Sequence, residues 1–208
     1  MKEKVSVTGV PETMIQTLYA RAKESQKDNP MIQDDMAAEI VSKLDYDFSN
    51  VDLPETMEIR EKFLTENGPI YQIAKSAMDA SYTDEIVCDG ENVLVVIEGL
   101  SMYLQEKDVL QMFSIIEKTF PKVTVMIETM SPFVVRHIKE KSIEGSNAKF
   151  TWGIKNGKLL QQLVPAFSYK QEVSLIKGMK KMMPIYRVIG KIPGTKIFSN
   201  NIIVLEKK

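Results

Sequence analysis

The sequence predicts an α/β protein on a mainly parallel sheet, and three features carry that expectation. Val93-Leu94-Val95-Val96-Ile97 is apolar at five successive positions, the pattern of a strand covered on both faces. Residues 106–119 place apolar side chains at helical spacing, and Val123–Ile127 is a second apolar run, so strand, helix and strand follow one another at the spacing of a parallel crossover. A last strand is expected at Ile202–Leu205, where an antiparallel direction is open.

The elements before the sheet read as helices. Pro11 suits the first turn of a helix over 12–24, with Thr8 or Gly9 as its cap and Met14, Ile15, Leu18 and Ala22 as one apolar stripe. Asp28-Asn29-Pro30 is a turn. A second helix is expected from Asp34 to Leu44, with Met36, Ala37, Ile40, Val41 and Leu44 on one side. Tyr46–Val51 is a connector. Asp52-Leu53-Pro54-Glu55 then opens a helix that runs to Glu66 and stops at Asn67-Gly68-Pro69. Pro-Glu-Thr-Met occurs at 11–14 and 54–57, which two helix starts of similar chemistry explain better than a duplication. Tyr71–Ala74 is a short strand. The helix over 106–119 turns Val109, Leu110, Met112, Phe113 and Ile116 inward, and Pro121 breaks it. A helix near 134–141, an insert from Gly145 to Gly157, a stretch at 159–163 and a strand near 171–176 complete the order. Val95, Val96, Ile97, Val125 and Ile127 are the expected centre of the core.

Composition bounds what such a chain does. The 208 residues fit one domain, with 1–50 as a helical cap and 51–208 as the α/β region. With 27 Lys+Arg against 28 Asp+Glu, a net charge of −1 gives no overall electrostatic case for nucleic acid. His137 is the single histidine, which excludes a multi-histidine metal site, and no metal is expected. Cys88 is the single cysteine, so no intramolecular disulfide argues for secretion. The longest apolar run is far short of the ~20 residues of a membrane span, and Met1-Lys2-Glu3-Lys4 leads into no apolar signal core. A cytoplasmic protein is expected. The oligomeric state is open.

In an open parallel sheet, ligands bind beyond the carboxyl ends of the strands. Those positions hold Asp52, then Ser76, Ala77 and Asp79, then Glu98 with Gly99, then Glu128, Ser131 and Pro132. Acidic groups at successive strand ends suit ribose hydroxyls, an exocyclic amine or an ammonium, because a carboxylate accepts two hydrogen bonds from a vicinal diol. Each has a plainer alternative. Asp52 is well placed as an N-cap, and Asp79 as the cap of Asp79-Ala80-Ser81. Glu98 directly follows five apolar residues, where a carboxylate near the core edge needs a partner. His137 suits a solvated or satisfied position better than a catalytic one. Cys88 has no cation nearby to mark a reactive thiol. Lys177–Lys191 holds five basic residues and no acidic one, a solvated face or a contact for an anion.

Several segments resemble, in order, the S-adenosylmethionine-dependent O-methyltransferase family of leucine carboxyl methyltransferase and the tetracenomycin polyketide O-methyltransferase. They are Thr8-Gly9-Val10-Pro11-Glu12-Thr13-Met14 through Tyr19-Ala20-Arg21-Ala22, Leu44-Asp45-Tyr46-Asp47-Phe48, Asp52-Leu53-Pro54 with Glu58-Ile59-Arg60, Glu98-Gly99-Leu100-Ser101-Met102-Tyr103-Leu104, Met130-Ser131-Pro132-Phe133, and Lys149-Phe150-Thr151-Trp152-Gly153. The resemblance implies a Rossmann-like sheet that binds S-adenosylmethionine and transfers its methyl group to a carboxylate or hydroxyl oxygen of an acceptor. By it, Asp52 holds the ribose hydroxyls, Ser76 and Ala77 flank the adenine with Asp79 close by, and Glu98 lies beside the methionine part. Tyr19, Arg21, Tyr103 and Trp152 are candidates for the acceptor side, with cap packing as their alternative role.

The sequence departs from the family at one place. A strand, a glycine-rich turn and flanking helices belong between the Asp-Tyr-Asp-Phe and Asp-Leu-Pro segments, and here Phe48-Ser49-Asn50 runs straight into Val51-Asp52. On the order of fifty residues are missing, judged against a ~30-residue βαβ unit plus its approach helices. The expectation is therefore a methyltransferase sheet without its first strand–turn–helix unit, with an inactive, partner-binding or functionless remnant as the alternative.

Overall fold

The computed structural model describes residues 3–4, 18–19, 21–30, 32–45, 73, 75–86, 92–137, 149–176 and 199–208. The chain divides into two compact units, one of Met1–Ala74 with Lys139–Lys149, the other of Lys75–Ile138 with Phe150–Lys208.

In the first unit, β1 (Glu3–Lys4) pairs in parallel with β2 (Leu44–Asp45), and α1 (Asp35–Lys43) precedes β2 directly. Residues 21–25 are helical, and bends follow at 27–29, where Asp28-Asn29-Pro30 is expected to turn. Asp34 caps α1 by accepting the Ala37 amide at 2.9 Å, and its second oxygen takes the Arg21 Nε–H at 2.8 Å. These bonds hold the Asp34 carboxyl below the usual carboxylate range, the Ala37 amide most of all. Ala22 and Ala37 are buried, whereas Met36, expected on the apolar side, is 58% exposed. The stripe of α1 is narrower than its sequence suggests, because the neighbouring residue Met36, about 100° around the helix from Ala37, already points to water. The expected strand at 71–74 and the helix over 52–66 lie outside the described residues, apart from Ile73, which is coil.

The second unit holds a four-stranded sheet in the order β3 (Val93–Ile97), β4 (Val123–Thr129), β6 (Asn201–Lys207), β5 (Phe167–Ser174). β3 and β4 are parallel, joined by α2 (Glu106–Thr119), which is the expected crossover. The last strand β6 is antiparallel to both β4 and β5, so among the described strands the sheet is mixed rather than mainly parallel. The helix α2 begins with a Gln105–Asp108 capping box and ends where the Phe120 amide bonds the Ile116 carbonyl, just before Pro121. Its Val109, Met112, Phe113, Ile115 and Ile116 are buried and Leu110 is half-buried. They pack on Val125, Ile127, Ile203 and Leu205, all fully buried, and Phe113 meets Phe167 edge-on at 5.2 Å between ring centres. Two short helices, α3 (Pro132–His137) and α4 (Gly157–Leu163), complete the unit.

One expectation about the core fails. The strand β3 is not covered on both faces: Ile97 is buried and Val95 half-buried, while Leu94 is 58% and Val96 60% exposed. Neighbouring side chains on a strand point to opposite faces. The face with Val95 and Ile97 meets the core, and over the other face at β3 no described element lies. Among the described residues β3 is also an edge strand, with β4 as its one partner.

Candidate functional site

The carboxyl ends of β3 and β4 and the start of β6 meet at one edge of the sheet. Glu98 follows β3, is exposed, and carries no hydrogen bond or ion pair among the described residues. The cost expected for a carboxylate at the core edge is therefore not incurred, because water reaches it. Gly99 has φ of 63°, left-handed backbone that glycine adopts without strain, and a side chain there would meet nothing within 4 Å. The ground in front of the Glu98–Gly99 turn is open.

Behind the turn the backbone is tied down. Gly99 donates its amide to Glu128 Oε2 at 3.1 Å, Asn200 donates its side-chain amide to Glu128 Oε1 at 2.7 Å, and Ser101 donates its hydroxyl to the Glu128 carbonyl at 2.5 Å. The segment 151–154 lies across the ends of both strands. The Thr151 and Trp152 amides donate to the Met102 carbonyl at 2.8 and 3.2 Å, and the Ile154 amide to the Met130 carbonyl at 2.9 Å. Glycine is required at 153 for this approach, since a Cβ there would lie 2.7 Å from the Met130 carbonyl oxygen.

The turn at 75–79 packs against the same region. Ala77 and Met78 touch the core cluster, and Gln111, in the second turn of α2, donates to the Met78 carbonyl at 2.7 Å. A crossover helix starts beside the carboxyl end of the strand before it, so this bond holds the turn on the ligand side of the sheet. Ser76 Oγ accepts the Met78 amide at 3.2 Å, and its carbonyl the Asp79 amide at 3.0 Å. Asp79 caps the 3-10 helix Ala80–Glu85 through the Ser81 amide at 2.9 Å, which holds its carboxyl below the ordinary range. The ion pair with Glu85 at 2.5 Å raises the Lys75 ammonium above its own range.

The other expected site residues fall as follows. Asp52 lies outside the described residues, as does Cys88 and the basic stretch from Lys177 to Lys191. Ser76, Ala77, Asp79, Glu98, Tyr103 and Trp152 belong to the second unit, and Tyr19 and Arg21 to the first. Trp152 is buried in the core cluster, and Tyr103 packs against Phe150 at 5.4 Å between ring centres. Lys23 stands 5.4 Å over the Tyr19 ring, and Arg21 is engaged with Asp34. His137 is exposed, stacks on Phe133 at 4.6 Å, and its Nδ1 lies 3.0 Å from the Phe133 carbonyl. Among the described residues no group of His, Cys, Asp and Glu could hold a metal, and no helix is long and apolar enough to cross a membrane. The sequence placed Glu128 among the strand-end acids suited to a ligand, whereas its carboxylate holds Gly99 and Asn200, and Asn200 was not singled out. A lone Glu at a strand end gives no signal of which amides it will meet, since its partners are 29 and 72 residues away.

Comparison with known proteins defines the class. The chain is 24% identical over 251 residues to the tetracenomycin polyketide synthesis O-methyltransferase TcmP of Streptomyces glaucescens, covering 91% of this chain and 93% of that protein. It is 21% identical over 260 residues to the S-adenosyl-L-methionine-dependent methyltransferase dpfgK of Gibberella zeae, covering 87% of each. No family model and no solved structure matches. The chain is thus similar over about nine-tenths of its length to S-adenosylmethionine-dependent methyltransferases, and its α/β unit is consistent with a Rossmann-like methyltransferase fold. The matched span of 251 positions takes in only 91% of this chain's 208 residues, so part of the relative has no counterpart here.

An exposed carboxylate with free acceptor capacity matches an ammonium or hydroxyl, and the Gly99 backbone leaves room for a ligand atom to approach.

Proposed function

We propose that the chain transfers a methyl group from S-adenosylmethionine to a carboxylate or hydroxyl oxygen of a small-molecule acceptor, with one side of its cofactor site reduced. The observation that carries this is the exposed Glu98, unpartnered among the described residues, beside the Gly99 turn, in a chain matched over nine-tenths of its length to TcmP. When bound, S-adenosylmethionine supplies a methyl group already activated on a sulfonium. The chain's part is positioning and exclusion of water. Glu98 accepts hydrogen bonds from the methionine end, Asp52 from the ribose, and the Ser76–Asp79 turn flanks the adenine. Tyr19, Arg21, Tyr103 and Trp152 are the candidates for the acceptor side. In this reading residues 1–208 form one methyltransferase-like domain, 1–50 its cap, in the cytoplasm.

The missing strand–turn–helix unit is placed between Asn50 and Val51, where the sequence skips it. An inactive remnant is the second reading, and the part of the relative that has no counterpart here favours it. Titration of the chain with S-adenosylmethionine separates the two. Binding that Glu98→Ala weakens about tenfold, one charged hydrogen bond's worth, supports the methyltransferase. Absence of binding at millimolar cofactor leaves the remnant.

A further inference from the structure

The carboxylate of Glu128 is half-buried one residue before the end of β4, and two donors converge on it, one just after β3 and one just before β6. Gly99 N–H reaches Oε2 at 3.1 Å and Asn200 Nδ2–H reaches Oε1 at 2.7 Å. Its backbone carbonyl holds the Ser101 hydroxyl at 2.5 Å, and Ser101 is fully buried. An ionised carboxylate offers two acceptor oxygens and no donor, which matches two converging N–H groups as no hydroxyl or amide does without turning. No Lys or Arg pairs with Glu128 among the described residues, so an ion pair does not account for its charge there.

The amide that Glu128 holds belongs to the peptide between Glu98 and Gly99. Fixing that plane fixes the direction from which the Glu98 side chain leaves the strand. An exposed side chain on a loose turn loses conformational freedom when it binds, and a pinned backbone has surrendered part of it beforehand. Left-handed backbone at Gly99 leaves glycine many other conformations, so the restraint has to come from a bond rather than from the residue itself.

We propose that Glu128 is the positioning residue of the Glu98–Gly99 turn, holding Glu98 toward the methionine end of the cofactor. This rests on the reading of Glu98 given above. Glu128 acts through Glu98 and does not itself touch the ligand.

The test uses the full 15N-labelled chain. In Glu128→Ala the Gly99 amide is expected to exchange with solvent at least about tenfold faster, as a freed amide does, while the Val125 and Ile127 amides keep their protection. Glu128→Gln is expected to retain most of the Gly99 protection, because Asn200 can turn its amide over and offer its oxygen to the new NH2 group. Glu128→Met, of equal length and without acceptors, replaces the alanine variant if that one fails to fold. In a titration with S-adenosylmethionine followed on the same samples, Glu128→Ala is expected to weaken binding several-fold, and to change nothing when Glu98 is already alanine. Unchanged Gly99 exchange in the alanine or methionine variant overturns the proposal, as does an equal loss of affinity in the Glu98→Ala background. If the native chain binds no cofactor, the functional reading falls, and the Gly99 exchange alone decides the clamp.

Discussion

At Glu98 the side chain stands in water and makes no described contact, so removing it takes nothing from the folded state. Glu98→Ala is expected to change unfolding free energy by no more than about 0.5 kcal/mol in urea denaturation. A loss of about 3 kcal/mol or more would mark a buried structural pair instead. Asp79 differs, since its oxygen holds the Ser81 amide at 2.9 Å. Its carboxyl titrates below the ordinary value of 3.8 in the folded state, with the Ser81 amide as the main cause. An acid depressed by folding stabilises above its unfolded pKa, and that contribution is lost as pH falls through the folded value. The Ser81 amide resonance should titrate with a midpoint below 3.8, a midpoint at or above 3.8 being the contrary result. The cap at Asp79 was legible in the sequence because Asp-Ala-Ser carries its own local geometry. The exposure of Glu98 was not, because it depends on what lies beside β3 and not on the five apolar residues before it.

Among the elements, α2 is the one the sequence specifies most fully. Its periodicity, the capping box at Gln105 and the stop at Pro121 agree, and the helix spans Glu106–Thr119 as expected. Phe113 is buried against Phe167, and Phe113→Ala should cost about 3–5 kcal/mol by chemical denaturation; a cost under 1 kcal/mol would put Phe113 outside the core. The strand β3 shows where the reading fails. A run of Val, Leu and Ile is consistent with burial on one face or two, and only the neighbours decide. With Val96 60% exposed and Val125 fully buried, Val96→Lys should leave the fold within about 1 kcal/mol of native while Val125→Lys unfolds it. Equal damage from both would mean that the outer face of β3 is covered in solution. The extent of the antiparallel end was also underread: Phe167–Ser174 and Asn201–Lys207 are longer than their apolar runs, because ladder hydrogen bonds carry polar residues such as Lys170 and Glu206 along, which pair at 2.6 Å.

For the whole molecule, the central claim is a methyltransferase sheet with one side of its cofactor site reduced. In the proposed reading, the glycine-rich turn and the cation for the cofactor carboxylate belong to the unit missing between Asn50 and Val51. A charge-assisted hydrogen bond is worth about 1.5–3 kcal/mol, so losing one together with the shape of the turn removes about 3–6 kcal/mol and moves a micromolar site toward millimolar. Grafting a family strand–turn–helix unit between Asn50 and Val51 should restore micromolar affinity. The order of the segments on either side of Asn50 is what the reading of a missing unit rests on.

The measurement that reaches this claim most directly is titration of the native chain with S-adenosylmethionine into the millimolar range, beside Glu98→Ala. A half-retained site gives weak saturable binding that the alanine variant loses. Micromolar binding by the native chain would contradict it by showing that another segment replaces the glycine turn, and binding indifferent to Glu98 would contradict the placement of the cofactor at this edge of the sheet.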